Sequence, residues 1–370
     1  MKGILFTLAL LCLGLYAYSF YFLVTVLAIS FLIFFHELGH FLAARMLGVK
    51  VNTFSIGFGE KIYTKNVGGT DYCLSAIPLG GYVQLKGQDD TDPKAKNYDA
   101  DSYNVLSPIK RIYILFAGPF FNFILAFFIY ILLGFIGVER LAPSVGHIAE
   151  GSAAANAGIA INDKILEING VKINEWDEIS KNVKLEPSAI LIDRNGSQMT
   201  INLTPKIGET INLFNEKVHQ PLIGIRSNGE VIKIYHTGLE SLKFAFGETI
   251  EASKLIFKSF EKLVVGAVPL KEVGGIVQIA DVTSKAAKIS LSVLLTIVAL
   301  ISVNLGVLNL LPIPALDGGH IFFNLYELIF RREMNEKVYI GLTYCGWAFL
   351  LCLMAFATFN DVMRLSGAGQ

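Results

Sequence analysis

At 370 residues, 53% of them hydrophobic, and with a mean hydropathy of +0.53, the chain is too apolar for an ordinary soluble domain. Basic and acidic side chains balance to a formal net charge of zero and no basic tract occurs, which argues against nucleic acid as a partner. The four cysteines (Cys12, Cys73, Cys345, Cys352) form no CxxC pair, and three lie in apolar runs. They read as packing residues, with neither a disulfide framework nor a cysteine metal site.

Charge-free stretches place the membrane. Residues 3–35, 112–138, 289–316 and 338–360 carry no charged side chain, and a bilayer core needs about 20 apolar residues per helix. Each of the last three fits one span. The first reads either as one extended, tilted helix or as two spans turning near Gly14–Ser19. A cleaved signal peptide over residues 1–17 is disfavoured, because Lys2 is its only n-region charge and nothing near Ala17 clearly reads as a small-x-small cleavage site. The first polar region, 45–111, holds nine Lys/Arg and ends in Lys110-Arg111, so the positive-inside rule puts it in the cytoplasm. Within it, Asp71–Lys86 is rich in β-formers around Pro78 and Gly80-Gly81. It is the candidate for a membrane-associated β-hairpin, the alternative being a plain cytoplasmic one.

The second polar region, about 139–287, is long enough for a folded outside domain. Val145–Ile148 alternates like a strand. Gly151–Gly158 reads as a short helix with a glycine stop, and Asp163–Gly170 as a strand ending in an Asn-Gly turn. Residues 174–184 suggest a second helix, and 188–193 with 198–204 a hairpin around Asn195-Gly196. This order resembles a PDZ domain of the bacterial type, with Asn162-Asp163 where that family usually has Gly-Asp. Asn tolerates the left-handed conformation. Residues 238–265 then repeat apolar positions at helical spacing (Leu242, Phe246, Ile250, Leu255, Ile256, Phe260, Leu263) among Lys and Glu. This amphipathic helix lies on the membrane surface or packs on its own domain; both readings stay open.

His36-Glu37-Leu38-Gly39-His40 carries the chemistry. Two imidazoles at i and i+4 share one helix face and can bind one Zn²⁺, while Glu37 points elsewhere and serves as base for the hydrolytic water. Such residues at the end of an apolar helix are costly and functional by default. Two histidines leave zinc one protein ligand short. Asp317, in Asn309-Leu310-Leu311-Pro312-Ile313-Pro314-Ala315-Leu316-Asp317-Gly318-Gly319 at the end of the third definite span, is the candidate. Counting crossings brings it to the same side as His36 and His40, whereas Asp361 falls at the opposite, outer end.

These features together resemble the site-2 protease family of intramembrane zinc metalloproteases, in its bacterial regulator-of-sigma-E type. Further matching segments are Ser55–Gly59, Ile77–Val83, Ala117-Gly118-Pro119 with Asn122, Leu300–Gly306 and Phe359-Asn360-Asp361. The resemblance implies one Zn²⁺ held by His36, His40 and Asp317, with Glu37 and Asn309 catalytic. Glu37 would be the general base, and Asn309 would hold the substrate carbonyl or the oxyanion; a capping amide is the alternative for Asn309. Asn304 and His320 rank lower, His320 as a supporting residue. The resemblance also implies single-pass membrane proteins as substrates (anti-sigma factors or remnant signal peptides) and a bacterial inner-membrane location with the PDZ domain periplasmic. Three departures stand out: one PDZ domain where relatives often carry two, Val273-Gly274-Gly275-Ile276 where Gly-Pro is usual, and the longer N-terminus.

The expected architecture is an α-helical polytopic membrane protein in the lipid bilayer. It has four core transmembrane helices, optionally a fifth at the N-terminus, a membrane-associated β-hairpin and an inserted periplasmic PDZ domain. Residues 1–19 form the optional span and 20–137 the first catalytic half. Residues 138–235 form the PDZ domain, 236–287 the amphipathic helix and connector, and 288–370 the second catalytic half. Two rivals remain: an ion-coupled transporter, which explains broken helices but not HExxH with a distant Asp, and a catalytically weak scaffold, which explains no complete metal set.

Overall fold

The computed structural model describes residues 20–88 and 97–366; the optional first span and Cys12 lie outside them. The chain divides into two compact units. One comprises the described residues up to 132, 242–260 and those from 269 onward; the other comprises 133–241 and 261–268.

The first unit is built on apolar helices. Helix α1 runs Phe20–Met46. A hairpin of β1 (Val51–Val67) and β2 (Thr70–Leu85) follows, then α2 (Pro108–Ile136). Among the described residues, four helical stretches are long and apolar enough to cross a bilayer: Leu23–Met46, Pro108–Ile136, Leu291–Asn309 and Glu336–Leu365. This is the make-up of a polytopic membrane protein. Gly39 and Gly118 let α1 and α2 approach at backbone distance, since a Cβ on Gly39 would meet the Ala117 carbonyl.

The hairpin is longer than the sequence suggests. Asp71–Lys86 is one arm, and its turn is Gly68-Gly69, with φ of 60° and 80°. Two successive left-handed glycines supply a tight two-residue turn. Gly80-Gly81 lies within β2 instead, where a Cβ on Gly81 would sit 2.6 Å from the Ser55 carbonyl oxygen. The half of β1 nearest α1 is buried and the distal half exposed.

The second unit is a small β-rich body. β3 (Val138–Leu141), β4 (Val145–Ile148), α3 (Ala153–Ala157), β5 (Lys164–Ile168), β6 (Val171–Lys172), α4 (Asp177–Asn182), β7 (Ser188–Arg194) and β8 (Ser197–Leu203) follow in order. Next come β9 (Lys206–Ile211), β10 (Lys217–Leu222), β11 (Ile225–Ser227) and β12 (Val231–Ile234). The main sheet has the order β6-β5-β7-β8; β4 pairs with β11, β3 with β12, and β9 with β10. Val145, Ile165, Ile168, Ile190 and Ile192 are its core. Asn162 takes φ 71°, a left-handed value that asparagine supports. The adjoining Asp163 is fully buried and receives Arg194 at 2.7 and 2.6 Å and the Ala160 N–H at 2.7 Å.

Helix α5 (Leu239–Val264) leads back to the first unit, where α6 (Ile276–Ile289) packs on α1 and on α7 (Leu291–Asn309). The last helices are α8 (Asp317–Phe330) and α9 (Glu336–Leu365). Two expectations are corrected. Asp317 does not end the third span: α7 stops at Asn309, the proline-bearing segment 310–316 turns the chain, and Asp317 opens α8. Cys73 is buried, but Cys345 and Cys352 on α9 are exposed rather than packed within the chain, as suits side chains on a helix face turned to lipid.

Candidate metal centre

Helical geometry dictates the first pair. His36 and His40, one turn apart on α1, bring their Nε2 atoms to 3.2 Å. Asp317 completes the group, with Oδ2 3.2 Å from His36 Nε2 and Oδ1 3.5 Å from His40 Nε2. Among the described residues this is the cluster of His, Cys, Asp or Glu able to hold a metal ion, its ligand atoms all within 4.8 Å of one another. Donor bonds of about 2.1 Å around tetrahedral zinc imply donor–donor edges of about 3.4 Å; the two imidazole nitrogens lie near that spacing, and each has one carboxylate oxygen of Asp317 near it as well.

The far side of each ring fixes its tautomer. His40 Nδ1 lies 2.9 Å from the Ile114 carbonyl oxygen. A carbonyl only accepts, so the proton sits on Nδ1 and the Nε2 lone pair is left for a ligand. His36 Nδ1 lies 3.0 Å from the amide nitrogen of fully buried Asn122. The Asn122 oxygen has no partner among the described residues. The two ends of an amide are isosteric, and a half-turn gives that oxygen the Nδ1 proton of His36 to accept. The donor set therefore fits zinc on both histidines. Gly118 makes room for it, because a Cβ there would fall on the His40 ring. Asp317 sits in the first turn of α8, where the helix dipole favours an anion. Before it, Ala315 is held at φ 104°, unusual for a residue with a side chain.

The three side chains line a cavity of about 410 Å³. Glu37 and Asn309 line it too, as do Val83 and Leu85 of β2. Glu37 Cγ lies 3.8 Å from where a Gly81 Cβ would stand, so β2 passes directly over the expected base. His320 also faces the cavity, its Nδ1 3.3 Å from the Tyr339 hydroxyl; Asn304 does not line it. Asp361 is buried elsewhere and accepts backbone N–H groups at the start of α6. The ring partners Ile114 and Asn122 were not assigned from sequence. Asn122 stood among the segments matching the family but was given no role, and a backbone carbonyl leaves no trace in a sequence.

Residues 24–353 match the sequence profile of Peptidase family M50. A Campylobacter jejuni protein named "Putative zinc metalloprotease" is 56% identical over 367 residues, covering 99% of this chain and all of the relative. Helicobacter pylori (strain 26695) has a protein of the same description, 40% identical over 93% of this chain and 99% of its own. One from Agrobacterium fabrum is 33% identical over 92% and 95%. A polytopic helical protein with a His-His-Asp cluster inside is a membrane metallopeptidase in its general form. The chain belongs to peptidase family M50, the site-2 protease family.

Proposed function

We propose that the protein hydrolyses peptide bonds inside the membrane-spanning segments of single-pass proteins, with His36, His40 and Asp317 holding the metal. One observation carries this: two imidazole nitrogens and a carboxylate converge, all within 4.8 Å, on a helix apolar enough to cross a bilayer. The enzyme is a zinc metalloprotease. Zinc bound there supplies Lewis acidity, polarising the scissile carbonyl and acidifying water. Glu37 takes the proton of the attacking water and passes it to the leaving amine. Asn309, the last residue of α7 and a wall of the cavity, donates its amide N–H to the carbonyl oxygen as charge develops there.

A substrate helix must unwind before its backbone reaches the metal, and hydrocarbon offers the freed groups no hydrogen bonds. β2 runs along the cavity and offers a strand to which an extended segment can pair. The second unit is read as a PDZ domain on the periplasmic side of a bacterial inner membrane, engaging the tails of substrates. Its strand, helix, strand, turn, helix and hairpin order supports that reading.

The test compares wild type, Glu37→Gln and His36→Ala in detergent or nanodiscs with a reporter transmembrane substrate. His36→Ala is expected to lose zinc, and Glu37→Gln to keep zinc and lose cleavage. Equal cleavage by wild type and Glu37→Gln would sink the assignment.

A further inference from the structure

An ion pair in the same cavity has no place in the steps above. Arg111 Nη2 donates to Glu327 Oε1 at 2.7 Å, and Arg111 Nε donates to the Leu106 carbonyl at 3.1 Å. Both side chains are largely buried, at 15% and 19% exposure, and both line the 410 Å³ cavity with the metal cluster. Each stands at the electrostatically wrong end of its helix. Arg111 is in the first turn of α2, where the dipole opposes a cation, and Glu327 is in the last turn of α8, where it opposes an anion. Local helix stability selects neither residue, and although a basic residue at 111 suits the membrane boundary, burying it against Glu327 does not follow from that. Burying two charges also costs desolvation that only a well-made pair offsets.

One of the two helices joined carries a ligand and the other orients one. One turn beyond Arg111, the Ile114 carbonyl orients His40. Ten residues before Glu327, Asp317 begins α8. The sequence separation of the pair, 216 residues, means that it ties the first catalytic half to the second. We infer that Arg111 and Glu327 are positioning residues that hold α8 against α2, so that Asp317 meets the two histidines at ligand spacing. The inference rests on the metal-centre reading above.

The test is zinc affinity of the full-length protein, measured by chelator competition without substrate. Loss of a partner bonded directly to a ligand weakens metal binding about 10–100-fold; acting one step further out, Arg111→Glu and Glu327→Arg are each expected to weaken it by about tenfold, the low end of that range. The double reversal should recover most of the affinity, because it remakes the pair with each charge now at its favoured helix end. Melting temperature is read in parallel. A merely structural pair would lower it and leave the zinc affinity of the folded protein untouched. If a single reversal does not fold, Glu327→Gln and the double reversal decide. Wild-type affinity in Glu327→Gln, or a double reversal as weak as the singles, overturns the inference. His36→Ala separates the two levels: if it also keeps zinc, the metal-centre reading has failed; if it alone loses zinc, only the positioning role has.

Discussion

Gly118 and the His40 ring compete for one volume, and the glycine yields it. Gly118→Ala would push a methyl onto the ring. The strain, of the order of 1–3 kcal/mol for overpacking, can relax only by parting α1 from α2 or turning His40 off the Ile114 carbonyl. Either change spoils the ligand geometry, so zinc affinity is expected to fall about tenfold or more with helix content unchanged. Metal titration alongside circular dichroism checks this; full zinc affinity in Gly118→Ala would mean that the close approach is unnecessary. In the second unit, burial pushes the Asp163 carboxyl up, but the Arg194 hydrogen bonds, the Ala160 N–H and the Arg194 charge outweigh it and hold it below the usual carboxylate range. A carboxyl depressed by folding contributes stability above its unfolded value of about 3.9, and that contribution is lost as pH falls through the folded value. Hydrogen exchange over residues 138–235 is therefore expected to show wild type better protected than Arg194→Ala near neutral pH. The gap should narrow as pH drops below the ordinary carboxylate range; a gap constant with pH would sink this account.

At the scale of elements, α9 grips the strap that leads into α6. Asp361 accepts the N–H groups of Gly275, Val277 and Gln278 at 3.0, 3.1 and 3.1 Å, and Asn360 donates to the Leu270 and Val273 carbonyls, each at 3.2 Å. The buried carboxylate thus satisfies amides that a helix start leaves open. The Gly275 of the Val273–Ile276 segment is required there, because a Cβ would lie 2.7 Å from Asp361 Oδ2. Asp361→Ala is expected to speed hydrogen exchange at 275–278 and loosen α6 while leaving zinc content intact; zinc loss matching that of Asp317→Ala would contradict this structural role. The strap also marks what sequence conveys. Helical spacing made the His36–His40 face legible, and counting charge-free runs brought Asp317 to the same side. The long amphipathic period at 238–265 was legible for the same reason. The role of Asp361 was not, because capping a helix 86 residues away in sequence leaves no local pattern. The extent of the hairpin was not legible, because the glycine pairs Gly68-Gly69 and Gly80-Gly81 look alike until close packing distinguishes the turn from the strand. Strands β9 to β12 are short and none has a fully buried face, so they lack the strong apolar signal that announces a strand.

For the whole molecule, the decisive feature is how the chain leaves and regains the membrane core. β3 and β12 pair antiparallel from Val138↔Ile234 to Leu141↔Val231, so the segment between them starts and ends at neighbouring backbone positions. An insertion on such a stem can be removed without stretching the chain, since Leu141 and Val231 already face each other as the last pair of a two-residue hairpin would. A variant with residues 142–230 replaced by Asn-Gly is expected to keep zinc and to cleave a reporter transmembrane segment that lacks an extramembrane domain. If the second unit screens substrates by their tails, the same variant should lose the wild-type preference between reporters with and without a folded outer domain. Cleavage of the paired reporters, read beside zinc content, separates the outcomes. Loss of zinc would show that the insertion helps build the catalytic core. Zinc and cleavage retained with the preference unchanged would remove the screening role and leave substrate choice to the cavity and β2.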